Sequence, residues 1–279
     1  MHATTTLPAG PRPATRREGF GEQLRRWRQH RRLSQLALAQ EAEVSTRHLS
    51  CVETGRAEPS REMVLRLADR LEVPLRERNA LLMAAGYAPL YRERPLDDPA
   101  LAAARRAVDL VLHGHAPFPA LAVDRHWHMV AANRVLPRLL EGVAEPALLQ
   151  GPVNVLRLSL HPQGLAPRIA NLAQWRGHLF ERLRQQISAT GDPVLAALLE
   201  ELRAYPGGDA AAEPEAGEHP GVVVPLRLHS AAGPLAFIST TTVFGSPVDV
   251  TLQELAVESF FPSDEATAAV LRGWAEAGN

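Results

Sequence analysis

Lysine is absent from this 279-residue sequence, and cysteine occurs once, as Cys51. A lone thiol rules out both a disulfide framework and a thiolate zinc site, and it fits a reducing compartment. All 30 basic side chains are arginine, a bias expected from genomic base composition; arginine binds phosphate at least as well as lysine does. No run of about 18 apolar residues occurs, and the first residues lack the basic-then-apolar order of a secretion signal. The expected setting is therefore the cytoplasm, with no membrane partner. The nucleophile elbow, the phosphate-cradling glycine loop and the dinucleotide fingerprint are all missing. His126 and His128 alternate along the chain, as do His113 and His115, but neither pair has the companions of an HExxH or cysteine-rich metal motif. No enzyme, resident cofactor or metal is expected.

What is present is ordinary globular composition, 46% apolar and 22% charged, at a length that suits two cores. The net charge of -1 hides an asymmetry. Residues 1–90 hold 15 arginines against 10 carboxylates, and residues 91–279 hold 15 against 21. A basic segment joined to an acidic one is what a phosphate-binding module attached to a second domain looks like.

Residues 1–17, rich in Pro, Thr and Ala, lack apolar periodicity and read as a disordered arm made basic by Arg12, Arg16 and Arg17. Five short helical patterns follow from Phe20 to Tyr87. Phe20, Leu24 and Trp27 share a face of the first, Ser34 and Ser45 are placed to cap the second and third, and Gly55 stops the third. Pro59-Ser60 opens the fourth, with an apolar stripe of Met63, Leu67 and Leu71, and Pro74 starts the fifth. The domain is set at 18–90, with a linker and connecting helix over 91–114 and a second domain over 115–279. In that second domain, strands are expected at Ala120–Val123 and Trp127–Ala131, helices from about 133 to 204, and a loop over 206–220. Three further strands are expected at Val222–Leu228, Leu235–Val243 and Thr251–Phe260. The fold class is α+β, an all-α domain ahead of a domain with an antiparallel sheet, whose element order is that of a PAS-like sensor.

The stretch LSQLALAQEAEVSTRHLSCVETGRAEPS, Leu33 to Ser60, resembles the Cro/repressor (XRE) helix-turn-helix family over about residues 20–87. Ala37 and Ala39 are small where the second helix must approach the third, Val44 fills the turn, and Leu49 and Val52 anchor the third helix. Glu43 stands where the family usually has glycine. The resemblance implies duplex DNA as partner, with the start of the third helix in the major groove. Thr46, Arg47 and Ser50 are then placed at base edges, Arg47 foremost, Gln35 and Arg56 at phosphates, and the capping Ser45 belongs to the same DNA-binding set. Because one such unit reads a half-site, a homodimer is expected, with residues 98–113 as a candidate dimer helix. Cys51 lies one turn beyond Arg47 and is either a packing residue or a thiol switch.

Three later segments, HAPFPALAVDRHWHMVAANRV, NVLRLSLHPQGLAPRIANLAQWRGHLFERLRQQ and LQELAVESFFPSDEATAAVL, resemble the MmyB-like regulators over about residues 100–275. That resemblance implies a PAS-like pocket for a fatty acid or similar lipophilic carboxylate. Arg157 sits in an apolar stretch, so it is expected to be buried and paired, either with an acid of the same domain or with the ligand's carboxylate. His161 follows one turn on. Asn133 is a helix cap or a pocket residue, and Asn171 and Trp175, at i and i+4, close the pocket or simply pack. The function expected is sequence-specific, ligand-responsive regulation of transcription. The rival is a redox sensor acting through Cys51, or an enzyme acting on the ligand.

Overall fold

The computed structural model describes residues 18–207 and 223–277, which leaves the expected basic arm and most of the expected loop outside the described residues. The chain divides into two compact units, 1–90 and 91–279.

The first unit is five helices: α1 (Phe20–His30), α2 (Gln35–Glu41), α3 (Thr46–Glu53), α4 (Arg61–Arg70) and α5 (Leu75–Ala84). Ser34, Ser45 and Ser60 each turn a hydroxyl onto a backbone N–H of the first helical turn, those of Ala37, His48 and Met63. Each such cap contributes about 1 kcal/mol and fixes where its helix begins. Leu24, Leu38, Leu49, Leu67, Leu71, Leu81 and Leu82 are fully buried in one core. The tightest approach is at Gly21. A Cβ there would lie 2.6 Å from the carbonyl oxygens of Val52 and Glu53, so only glycine lets α1 reach the end of α3. Glu43 takes a left-handed backbone, φ 55°, at the turn between α2 and α3.

The second unit opens with a short 3-10 turn at Pro99–Leu101 and α6 (Ala102–Gly114). Its sheet has five antiparallel strands: β1 (Ala120–Val123), β2 (Met129–Ala132), β3 (Leu226–Ser230), β4 (Gly233–Val243) and β5 (Ala256–Pro262). Their spatial order is β2-β1-β5-β4-β3. Between β2 and β3 run α7 (Leu136–Leu140), α8 (Val155–Leu160), α9 (Leu172–Thr190) and α10 (Pro193–Arg203). Strand alternation sorts the core. Ala120, Ala122 and Val257 face Val108 and Leu112 of α6, whereas Leu121, Val123, Leu228 and Phe237 face α8 to α10. The helix α12 (Glu265–Ala277) packs beside β4 and β5 and buries Leu271.

Three expected strands are corrected, and the one expected at Val222–Leu228 runs instead over Leu226–Ser230, after Pro225, which has no N–H for a ladder. Thr251–Phe260 begins instead as a helical turn, α11 (Val250–Gln253), because the Asp249 carboxylate accepts from the Thr251 N–H and caps it. The strand expected from Trp127 begins at Met129. The Asp124 carboxylate accepts from the N–H groups of both His126 and His128, and the turn it closes holds Trp127 at φ 67°.

Candidate functional site

In the first unit the side chains expected to meet DNA lie on and around α3. Leu49 and Val52 point into the core, so Thr46, Arg47 and Ser50 remain on the outward side, with Arg47 exposed. No hydrogen bond or ion pair engages the Arg47 guanidinium among the described residues. Ser45 is committed as the helix cap. Arg56 is exposed after Gly55, whose φ of 71° ends α3. Cys51 is a half-buried free thiol.

Gln35 stands apart from this set, because its amide donates to the Glu53 carboxylate at 2.8 Å. Glu53 is the group that sequence reading missed. Its carboxylate is buried at the end of α3 and receives Arg28 through two bonds, 2.6 and 2.9 Å, with Arg25 at 3.5 Å. Burial alone would push the Glu53 carboxyl up, but the bonds from Arg28, Gln35 and Arg25 outweigh it and hold its pKa below the ordinary value. This cluster fixes α3 onto α1. Its signal in the sequence is weak: Arg28 simply follows Trp27 on the apolar face of α1.

In the second unit an apolar cavity of about 90 Å3 opens between the sheet and α7 to α9. Leu121, Met129, Leu136, Leu139, Leu156, Leu179, Leu228 and Phe260 supply its walls, and its polar groups are Ser159, Ser239, Arg182 and Glu258. Trp175 lines it as well, and donates its indole N–H to the Ser159 hydroxyl at 3.0 Å.

The other expected ligand residues are not at this cavity. Arg157 is expected to be buried, yet its side chain is 40% exposed. The short α8 turns Leu156, Leu158 and Leu160 inward and Arg157 outward, where it meets Glu201 of α10 at 2.8 and 2.7 Å. Of the two partners open to it, the acid of the same domain is the one in place. Tyr205 donates to the same carboxylate and packs edge-on against His161; burial, then that bond, pushes the Tyr205 phenol up to about 12. Asn133 is buried and saturated: its amide donates to the carbonyls of Leu112 and Phe118 and accepts from Ala120 and Val135. Asn171 ties the start of α9 to β3 through Pro225 and Arg227. Arg176, also missed, donates to the carbonyls of Leu202, Arg203 and Tyr205 and so closes the C-terminal end of α10.

Arg182 and Glu258 pair at 2.6 and 3.1 Å, and Thr241 donates its hydroxyl to the same carboxylate. Both residues carried a signal. Arg182 interrupts the α9 stripe of Trp175, Leu179 and Gln186, and Glu258 shares a strand face with Ala256 and Phe260. His178, one turn before Arg182, has its pKa lowered, first by burial and then by the Arg182 charge. Among the described residues no group of three or more metal-binding side chains comes together, and no helix is long and apolar enough to cross a membrane.

No curated relative matches the sequence. One solved structure, an RNA-binding light-oxygen-voltage receptor, is similar at 13% identity with a TM-score of 0.24. The similarity covers 92% of this chain and only 63% of that one, and it is too slight to bear on fold or function. Residues 20–81 match a helix-turn-helix domain family. Residues 104–273, more than half of the sequence, match the MmyB-like transcription regulator ligand binding domain, and the chain belongs to that family of DNA-binding, ligand-sensing regulators.

Proposed function

We propose that this regulator reads a specific duplex through Thr46, Arg47 and Ser50, holds phosphates through Arg56, and does so as a cytoplasmic homodimer that answers to a lipophilic ligand. The observation that carries the reading is the α3 face. A capped, core-anchored helix presents an exposed arginine with no partner within its unit, and a guanidinium of that kind can take both acceptors of a guanine. Gln35 is held by Glu53, so its part is to steady α3. The exposed Leu110 and Val111 on α6 support a second copy as the occupant of that helix face, since a single helix-turn-helix reads only half a site.

The ligand we propose is a long-chain fatty acid or related carboxylate. The cavity's aliphatic walls suit the tail, and burial there is worth about 0.8 kcal/mol per methylene. The element order of two strands, helices and three strands supports the PAS-like reading of the domain. The test is selection of a duplex from a randomised pool, followed by titration with and without fatty acid. A selected sequence whose affinity responds to the acid supports the reading; unselective binding, or no response, defeats it.

A further inference from the structure

A second hollow, a cleft of about 360 Å3, borders the apolar cavity, and the two share three lining residues: Trp127, Arg182 and Glu258. These three form one assembly. Glu258 stands mid-strand on β5, opposite Leu121 of β1 and Thr241 of β4, with its side chain only 5% exposed. Arg182 reaches it from α9 and also donates to the Thr241 hydroxyl at 2.9 Å. The Trp127 ring lies 4.8 Å from the Arg182 guanidinium and is held by its own N–H bond to Gln186, 2.8 Å. Gln186 in turn donates to the Arg125 carbonyl.

We propose that this assembly is a gate. An amphiphilic acid enters from the outer cleft, its head takes Arg182 in exchange for Glu258, and its tail fills the apolar cavity. The inference rests on the reading of this domain as a sensor of lipophilic acids.

Size is the first argument. Sites that hold small molecules run to roughly 300–1,000 Å3, a range the outer cleft reaches and the apolar cavity does not. A ligand with a long tail therefore needs both spaces, and the shared wall must part.

Charge is the second argument. Arg182 is the one cation lining either space among the described residues. The cleft's other carboxylates already have partners: Asp124 takes the N–H groups of His126 and His128, and Glu254 lies 3.7 Å from Arg125. One positive charge cannot neutralise two buried carboxylates, so an arriving head displaces Glu258 toward the cleft. Trp127, stacked on Arg182, moves with the exchange.

Calorimetry with decanoate and 1-decanol on the full-length protein separates head from tail. Wild type should prefer decanoate by about tenfold, the size of one charge-assisted contact. Glu258→Gln removes the competitor and should raise affinity for decanoate more than for decanol. Arg182→Gln alone strands a buried carboxylate, so the double variant Arg182→Gln/Glu258→Gln is the sounder test; it should lose the preference for decanoate over decanol. Retention of that preference in the double variant, or weaker decanoate binding in Glu258→Gln, would overturn the gate and leave the lipid-sensor reading intact. Failure of wild type to bind either amphiphile would overturn both.

Discussion

The two units handle charge in opposite ways. The helix-turn-helix unit buries one ion pair, Arg28 with Glu53, and leaves Arg47 and Arg56 exposed, where the proposed reading needs them. The sheet unit places Arg157 with Glu201 outside and carries Arg182 with Glu258 inside, against its cavity. The contrast teaches where recognition sits. Under the proposed function the difference is one of size: DNA is too large to enclose and is met on a surface, whereas a lipophilic ligand would be taken out of water and met by interior groups.

The sharpest way to break this contrast is at Glu53. Glu53→Gln leaves Arg28 facing an amide, and loss of one member of a buried pair costs about 3–5 kcal/mol. Peptide-resolved hydrogen exchange in the full chain should show α1 to α3 exchanging far faster, with the β-sheet unaltered. Unchanged protection in α3 would mean that the pair is not what holds the reading helix.

At Arg47 the effect expected is on selectivity. Arg47→Ala should cost about 1–3 kcal/mol of discrimination at one base position. Arg56→Ala should weaken all duplexes alike and reduce the salt slope by about one. Electrophoretic titration of a selected and a scrambled duplex at several salt concentrations checks both. Equal loss on both duplexes in Arg47→Ala would move that arginine to the phosphates.

Acid should separate the units by pH. The half-buried His178 has a depressed pKa, so its neutral form belongs to the fold; the stability tied to it is whole above about pH 6.5 and falls as pH drops below that value. Glu53, also depressed, brings stability that is whole above about pH 4.5 and is lost as pH falls through its folded value. Exchange measured from pH 7 downward should therefore loosen the region around α9 before α3. The reverse order would contradict these assignments.

The smallest effect is at Arg157. A pair this exposed contributes about 0–1 kcal/mol. Arg157→Ala should shift the melting temperature slightly and leave amphiphile affinity unchanged; a tenfold loss of decanoate binding would return Arg157 to the site.

The same contrast explains what could be read in the sequence. The α1 to α5 pattern was legible because caps and apolar spacing are local, and the outward residues of α3 follow from the inward ones. The strands β1 and β4 were legible as short runs bounded by turn residues. At the cavity, legibility ended: Trp127, Arg182, Thr241 and Glu258 are dispersed over more than a hundred residues and meet only through the β4-β5 register and the face of α9. Arg157 attracted attention as a charge in an apolar run. A six-residue helix can turn one such residue outward, and this one does. Thr251–Leu255 holds one strand-favouring residue, Thr251, among helix formers, and the Asp249 cap starts a helix there.

In the proposed function, occupancy of the cavity alters what α3 does on DNA. The direct measurement is the Kd of the full-length protein for its selected duplex, at fixed salt, without amphiphile and at saturating decanoate. Coupling between sites of this kind is typically 5- to 150-fold, so a change of at least about fivefold is predicted. An identical Kd at saturating decanoate would contradict the account, because a ligand bound equally by both states shifts neither.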